Sequence, residues 1–385
     1  MKPRLNDACR MMDHMAKTAP ENLKPLTALR FFAALWVVSY HYWPDLTAAA
    51  RPALVAKGYL GVEMFFVLSG FILSHVYLKG VGEGGFRYGP FLWARLARVY
   101  PLHLATLIGV GAMAVGAAAV GFQLHNDIAD WGVLPANLLL VHAWGFAKAA
   151  AWNHPSWSIS AEWFAYLTFP LFAWVAWRLR TRPLLATAGA VALLAGLYPV
   201  FERLAGFPLT EATIAWGALR IVPCFAYGCA IHLLWSSGLI RTSAQAKLAA
   251  AVFTGLAIAS AAAGLPDAAT VTCFGGIILS LAAVSSTGSR LLSGPVGVYL
   301  GEVSYAVYMV CIPWQLVFVN AAQKALHLGD GPLPLPVWLA FFAGVVPLAA
   351  LAHHLVERPA RTAMRRWSDR GFKFAARGEV SRATA

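Results

Sequence analysis

The sequence predicts an all-α, polytopic membrane protein, a bundle of about ten transmembrane helices. Three observations predict it. Of 385 residues, 59% are hydrophobic and only 12% charged, with a mean hydropathy of +0.62, which leaves too little polar surface for a water-soluble chain of this length. Apolar runs of about 20 residues, each long enough to cross a bilayer, recur ten times. The basic residues alternate in step with those runs: of 30 Lys and Arg, 23 fall on the side shared with the N-terminus and 5 on the other, with Arg30 and Arg220 inside spans. Cytoplasmic loops collect Lys and Arg, so the bias predicts both termini inside, and a miscounted helix would invert every later loop.

Taken in order, residues 1–24 carry Lys2, Arg4, Arg10, Lys17 and Lys24 without an apolar core. They are therefore a cytoplasmic segment and no cleavable signal peptide, which makes the first span an uncleaved anchor in the inner or plasma membrane. That span, 26–46, carries Arg30 near its start and His41 eleven residues on. The second, 59–78, holds Glu63, and the third, 99–121, follows the run Arg95-Leu-Ala-Arg98-Val-Tyr-Pro101. The loop 122–156 contains a further apolar run from Trp131 to Trp144, but counting it as a span would put Arg178, Arg180 and Arg182 outside. A re-entrant or interfacial segment around 131–144 fits better, since irregular backbone at membrane depth must be buried in protein or line water. Spans 157–177, 184–201, 215–236, 246–264 and 269–286 follow, then 296–319 with Glu302, Tyr305, Tyr308 and Cys311, and 336–357 ending at Glu357-Arg358-Pro359. One transmembrane domain, 25–359, and a basic cytoplasmic tail, 360–385, complete the reading; there is no internal repeat and no second soluble domain.

The formal charge of +13 resides mostly in cytoplasmic loops and the tail, where it faces anionic lipid, so no nucleic-acid partner is expected. Five cysteines form no CxxC pair and lie mostly in spans, which argues against disulfides and metal. No histidine spacing suggests a metal site either.

Ionisable groups inside a membrane segment are costly and mark function by default. Here they sort into two layers. In the outer layer lie His41, Glu63, Arg220 and the start of the fourth span, Ser156-Trp157-Ser158-Ile-Ser-Ala-Glu162-Trp163. Glu63 at the level of His41 would hold the imidazole in one tautomer; the plain alternative is a carboxylate that pairs within the bundle. Ser158 and Glu162 share a helix face, and Trp157 suits a sugar platform, although Ser and Trp at a helix start are also ordinary capping and interfacial chemistry. The inner layer is basic. Arg95 and Arg98 share one face at the cytoplasmic mouth of the third span, level with Arg30, and three guanidiniums at one mouth suit phosphates. Snorkelling charges are the plain alternative, against which Arg30 counts because it lies inside its span. Glu302 and Glu357 fall in the inner half, where they can pair with these arginines.

A phosphate-binding mouth inside and a base outside suit a reaction whose donor comes from the cytoplasm and whose acceptor waits beyond the membrane. An acyl thioester of coenzyme A satisfies this, with its phosphates at Arg30, Arg95 and Arg98, and His41 as general base on an acceptor hydroxyl or as transient acyl carrier. No permanently bound cofactor is expected. A transporter or flippase for a polar lipid or carbohydrate is the alternative, but the inverted repeats common in transporters are missing. A structural scaffold would leave the intramembrane His and Arg unexplained.

Arg30 and His41 at their spacing, Gly61-Val-Glu63-Met-Phe-Phe-Val-Leu-Ser-Gly70-Phe, Arg95-Leu-Ala-Arg98-Val-Tyr-Pro101, Trp157-Ser-Ile-Ser-Ala-Glu162-Trp163, Ser304-Tyr-Ala-Val-Tyr308 and Val356-Glu-Arg-Pro359 together resemble the membrane-bound acyltransferase family 3. The resemblance runs from about residue 24 to 362. It implies a ten-helix enzyme that O-acylates cell-surface or exported carbohydrate from acyl-CoA, with Arg30, His41, Arg95 and Arg98 as functional residues; the leading reading is an acetyltransferase using acetyl-CoA on a glycan or glycolipid. Two departures stand out. Glu63 stands where the family often has Asp, and Cys311-Ile-Pro follows the SYxxY pattern where many members have a histidine, which places more of the burden on His41. By this reading His41, Glu63 and Glu162 are the catalytic candidates, and Trp157, Ser158 and Arg220 bind the acceptor.

Overall fold

A computed structural model describes residues 23–47, 50–119, 128–148, 150–286 and 291–367. Among these residues every regular element is helical. The first, α1 (Lys24–Tyr42), stops where Pro44 forces a 3₁₀ turn over Trp43–Asp45. It is followed by α2 (Gly61–Gly82) and by α3 (Tyr88–Ala119), which starts eleven residues before the expected span and so carries Arg95 and Arg98 inside the helix. The fourth span is broken into α4 (Trp157–Leu167) and α5 (Phe169–Leu179), bent by 58°. Thr168, whose hydroxyl donates back to the Phe164 carbonyl at 2.8 Å, and Pro170, which has no N–H to give the ladder, account for the break.

Then come α6 (Pro183–Ala205), α7 (Gly217–Ser236), α8 (Ser243–Ala262) with a Thr242–Gln245 capping box, α9 (Asp267–Ser286), α10 (Pro295–Ala325) and α11 (Leu335–Ala352). A wide π turn, His353–Glu357, continues α11 as helix to residue 367, past the expected end of the domain at 359. The expected N-terminal segment lies almost wholly outside the described residues, as does the tail from 368.

Eight described helices are long and apolar enough to cross a membrane, and the α4–α5 pair makes a ninth. α1, with 19 residues, about 28 Å of helix, is not among these but packs on α10 and α2. The run 131–144 adds no span. It forms a 3₁₀ turn, the short helix Leu134–Leu138 and a distorted turn over His142–Phe146, tied to α4 by Ala143 N to Ser160 Oγ at 3.0 Å and Trp144 Nε1 to the Ser160 carbonyl at 2.8 Å. That is the expected re-entrant or interfacial behaviour.

Glycines set the closest helix contacts, as is usual where apolar surroundings offer no other drive to association. A Cβ on Gly70 would overlap the Phe225 carbonyl and one on Gly228 the Val67 carbonyl, so α2 and α7 meet backbone to backbone. On α10, Gly301 lies against the backbone of Thr27, which fixes α1 one turn below Arg30. The result is an inner row of α2, α7 and α9, 67, 78 and 72% buried along their apolar windows, with α3, α6, α8 and α11 at the periphery at 22 to 28%.

Candidate functional site

Between α1, α2, α3, α4 and α10 lies a cavity of about 100 Å³. Its wall brings together Arg30 from α1, Arg95 and Arg98 from α3, Ser158 and Glu162 from α4, and Tyr308 from α10. Arg98 is held by Glu357 at 2.7 Å. The same carboxylate takes His353 at 2.8 Å and Arg361 at 3.3 Å, so the π turn that aims His353 and Glu357 inward builds the base of this site. Arg30 and Arg95 are differently placed. Among the described residues the Nε of each is buried without a hydrogen-bond partner, and Arg95 Nη2 reaches the Tyr77 hydroxyl at 3.5 Å. Their guanidiniums lie over aromatic rings, Arg30 on Phe65 at 5.9 Å and Arg95 on Tyr77 at 5.8 Å, which hold them in place while leaving their donors for an anion.

Glu162 accepts from Ser69 at 2.8 Å within the same cavity. It therefore stands with the arginines and not, as expected, at the level of His41. Ser158 lines the wall while its hydroxyl donates to the Pro155 carbonyl at 3.1 Å.

The expected partnership of His41 with Glu63 is absent. Glu63, fully buried, is clasped by Arg220 through Nε to Oε1 at 2.5 Å and Nη2 to Oε2 at 3.0 Å. Arg220 gives its remaining branch to the Ala212 carbonyl at 2.7 Å and stacks on the Trp157 indole at 4.5 Å. This bidentate pair engages both carboxylate oxygens. Trp157 stacks under the guanidinium, packs T-shaped with Phe66 and is only 4% exposed, so its burial leaves no ring face open to a sugar. The expected acceptor platform of Trp157 and Arg220 is instead a buried cross-link of α2, α4 and α7.

His41 sits at the far end of α1, outside the cavity wall. Its carbonyl accepts from Gln315 at 3.3 Å, and Gln315 also holds Asp45 at 2.6 Å. The aromatic neighbours of its ring are Tyr40 at 5.3 Å and His154 at 6.3 Å between centres. Sequence reasoning passed over His154, although its position just ahead of Pro155 and the Ser156-Trp157-Ser158 run was a usable signal. Behind it, Ser156 Oγ meets His142 Nε2 at 3.1 Å. Burial, with His103 nearby, pushes His142 down to about 4, so it is neutral near pH 7. Among the described residues no group of His, Cys, Asp and Glu is arranged to hold a metal.

The chain matches the Acyltransferase domain family over residues 24–354. It is similar to Acyltransferase MdmB of Streptomyces mycarofaciens, 29% identical over 377 residues that cover 88% of this chain and 91% of that protein. It is also similar to Protein 2 in picA locus of Rhizobium radiobacter, 36% identical over 113 residues covering 29% of this chain and 56% of that protein. O-acetyltransferase OatA of Staphylococcus aureus is 21% identical over 369 residues, 89% of this chain and 58% of that protein. The chain thus spans a little over half the length of the last two. No solved structure matches.

Proposed function

The chain belongs to the Acyltransferase domain family, and we propose that it moves an acyl group, acetyl by preference, from acyl-CoA on the cytoplasmic side of the inner membrane to a hydroxyl of a cell-surface or exported glycan or glycolipid. The observation that carries this reading is the cavity in which Arg30 and Arg95 keep buried, unpartnered Nε donors beside Arg98. Guanidiniums with free donors suit phosphate oxygens, and coenzyme A carries phosphates at one end and the reactive thioester at the other. With the nucleotide at the Arg95 mouth, the thioester arm points along α1 toward His41. Eleven residues of helix separate Arg30 from His41, about 16 Å, a distance an extended arm can cover.

His41 then takes the proton of the acceptor hydroxyl as its oxygen attacks the thioester carbonyl, and the protonated imidazole returns that proton to the departing thiolate. Glu162 faces the donor in the cavity, where its charge orients the surrounding guanidiniums. The likeness to a protein named O-acetyltransferase supports acetyl as the group moved.

The test is transfer of label from acetyl-CoA in proteoliposomes of the purified chain supplied with cell-envelope glycan. His41→Ala is expected to abolish transfer while the protein inserts and purifies normally. Undiminished transfer by that variant refutes the mechanism.

A further inference from the structure

Two imidazoles, not one, stand at the far end of α1. The ring centres of His41 and His154 are 6.3 Å apart and their planes cross at 78°. An N–H···N bond of about 3 Å would require centres no more than about 5.3 Å apart, so the rings do not bond to each other. The gap leaves room for substrate oxygen to lie between the two imidazoles. Neither ring has a hydrogen-bond partner among the described residues, and the carboxylates nearest in sequence are engaged elsewhere: Asp45 with Gln315 and Glu63 with Arg220 on the His41 side, and Glu162 with Ser69 on the His154 side.

The backbone carrying each ring is nevertheless locked. Around His41, Tyr42 Oη donates to the Cys311 carbonyl at 2.7 Å, and Trp338 Nε1 donates to the Tyr42 carbonyl at 2.8 Å. Around His154, Asn153 Nδ2 donates to the Met309 carbonyl at 2.9 Å, Tyr308 Oη donates to the Pro155 carbonyl at 3.0 Å, and Ser156 meets His142. Fixed backbone bearing unpaired, partly accessible imidazoles is wasteful for folding and is what a binding site needs. Tyr308 and Ser158 also line the arginine cavity, and both donate to the Pro155 carbonyl, so the cavity wall adjoins the residue next to His154.

We infer that His154 is a second catalytic imidazole of the transfer site, donating a ring N–H to the thioester carbonyl oxygen while His41 takes the proton of the acceptor hydroxyl. The inference rests on the acyl-transfer reading above. Attack of the acceptor oxygen on the carbonyl carbon converts C=O to C–O⁻, which His154 stabilises by hydrogen bonding without giving up its proton. Collapse re-forms the carbonyl and expels the thiolate, and the proton held by His41 goes to that sulfur. The products are one ester and one thiol.

The experiment compares two substitutions of similar volume in the full chain, reconstituted in proteoliposomes with labelled acetyl-CoA and envelope glycan. His154→Gln keeps a side-chain N–H, and His154→Leu does not. Removal of one oxyanion donor costs about 10²- to 10³-fold in kcat, so His154→Leu is expected to fall at least about 100-fold below His154→Gln. The KM for acetyl-CoA should be the same in both, because its phosphates bind elsewhere. Equal kcat in the two variants, or a loss that appears only in KM, overturns the inference. His41→Ala, assayed beside them, separates the two questions: if it is inactive while His154→Leu matches His154→Gln, the role of His154 fails and the acyl-transfer reading stands, whereas activity in His41→Ala removes the reading itself.

Discussion

At the scale of single residues, the two arginines of the α3 motif have different duties. Arg98 is paired with Glu357, whereas Arg95 keeps a buried donor free. Arg95→Ala is therefore expected to raise the KM for acetyl-CoA with little change in thermal unfolding. Arg98→Ala should raise it too, and should also lower stability, because the fully buried Glu357 loses its shortest guanidinium contact. Kinetics paired with unfolding curves in detergent check both, and identical behaviour of the two variants refutes the division. Glu63 extends the same logic. Glu63→Gln leaves Arg220, 2% exposed, without a counter-charge, a change that costs about 3–5 kcal/mol. Glu162→Gln removes a carboxylate bonded to Ser69 at a cavity wall, so it should spare the unfolding midpoint and lower kcat. A Glu63→Gln protein of normal stability and reduced kcat would instead return Glu63 to the catalytic role expected from sequence.

These residues also show what was legible before the structure. Spacing along a helix reports depth, and depth correctly grouped Arg30 with Arg95, Arg98 and Glu357. It does not report the direction in which a side chain points around the helix axis. Trp157 was misassigned for that reason: its face is covered by a residue far away in sequence. Nor is Glu63 level with His41: Gly61 packs on Ala33 and Val37 and Phe65 lies under Arg30, so Glu63 stands nearer the Arg30 end of α1, where it meets Arg220 of α7. Glu162 was misplaced in depth because the fourth span is broken and does not run straight through.

At the scale of elements, glycine contacts and proline breaks position the site. The α2–α7 contact has no room for a side chain at Gly228, since a Cβ there overlaps the Val67 carbonyl. Gly228→Val is expected to cost about 3 kcal/mol and, because it pushes α2 from Arg220, to lose transfer activity as well. Gly255 on α8 faces open space, so Gly255→Val should be silent in both respects; thermal unfolding of the two variants side by side checks the contrast. The break at Thr168 was not legible, since Pro170 alone is compatible with a helix start. The long α3 was missed because its first turns, through Arg95 and Arg98, are too polar to register as membrane helix.

At the scale of the whole molecule, the placement of the arginine cavity and of the two histidines at opposite ends of α1 makes sidedness a consequence of the fold. On the proposed reading the donor is acyl-CoA, and coenzyme A is too polar to cross the bilayer, so only donor on the Arg95 side would fill the cavity. On the same reading the acceptor hydroxyl comes to His41 and His154 from the other side, at the far end of α1. Proteoliposomes in which every molecule presents the Arg95 mouth outward, sorted by a cleavable tag on the C-terminus, are expected to label glycan trapped inside from acetyl-CoA added outside. Glycan confined to the same side as the acetyl-CoA should stay unlabelled. Labelling of same-side glycan at the full rate would mean that donor and acceptor share one mouth, and that the span between Arg30 and His41 carries no acyl group.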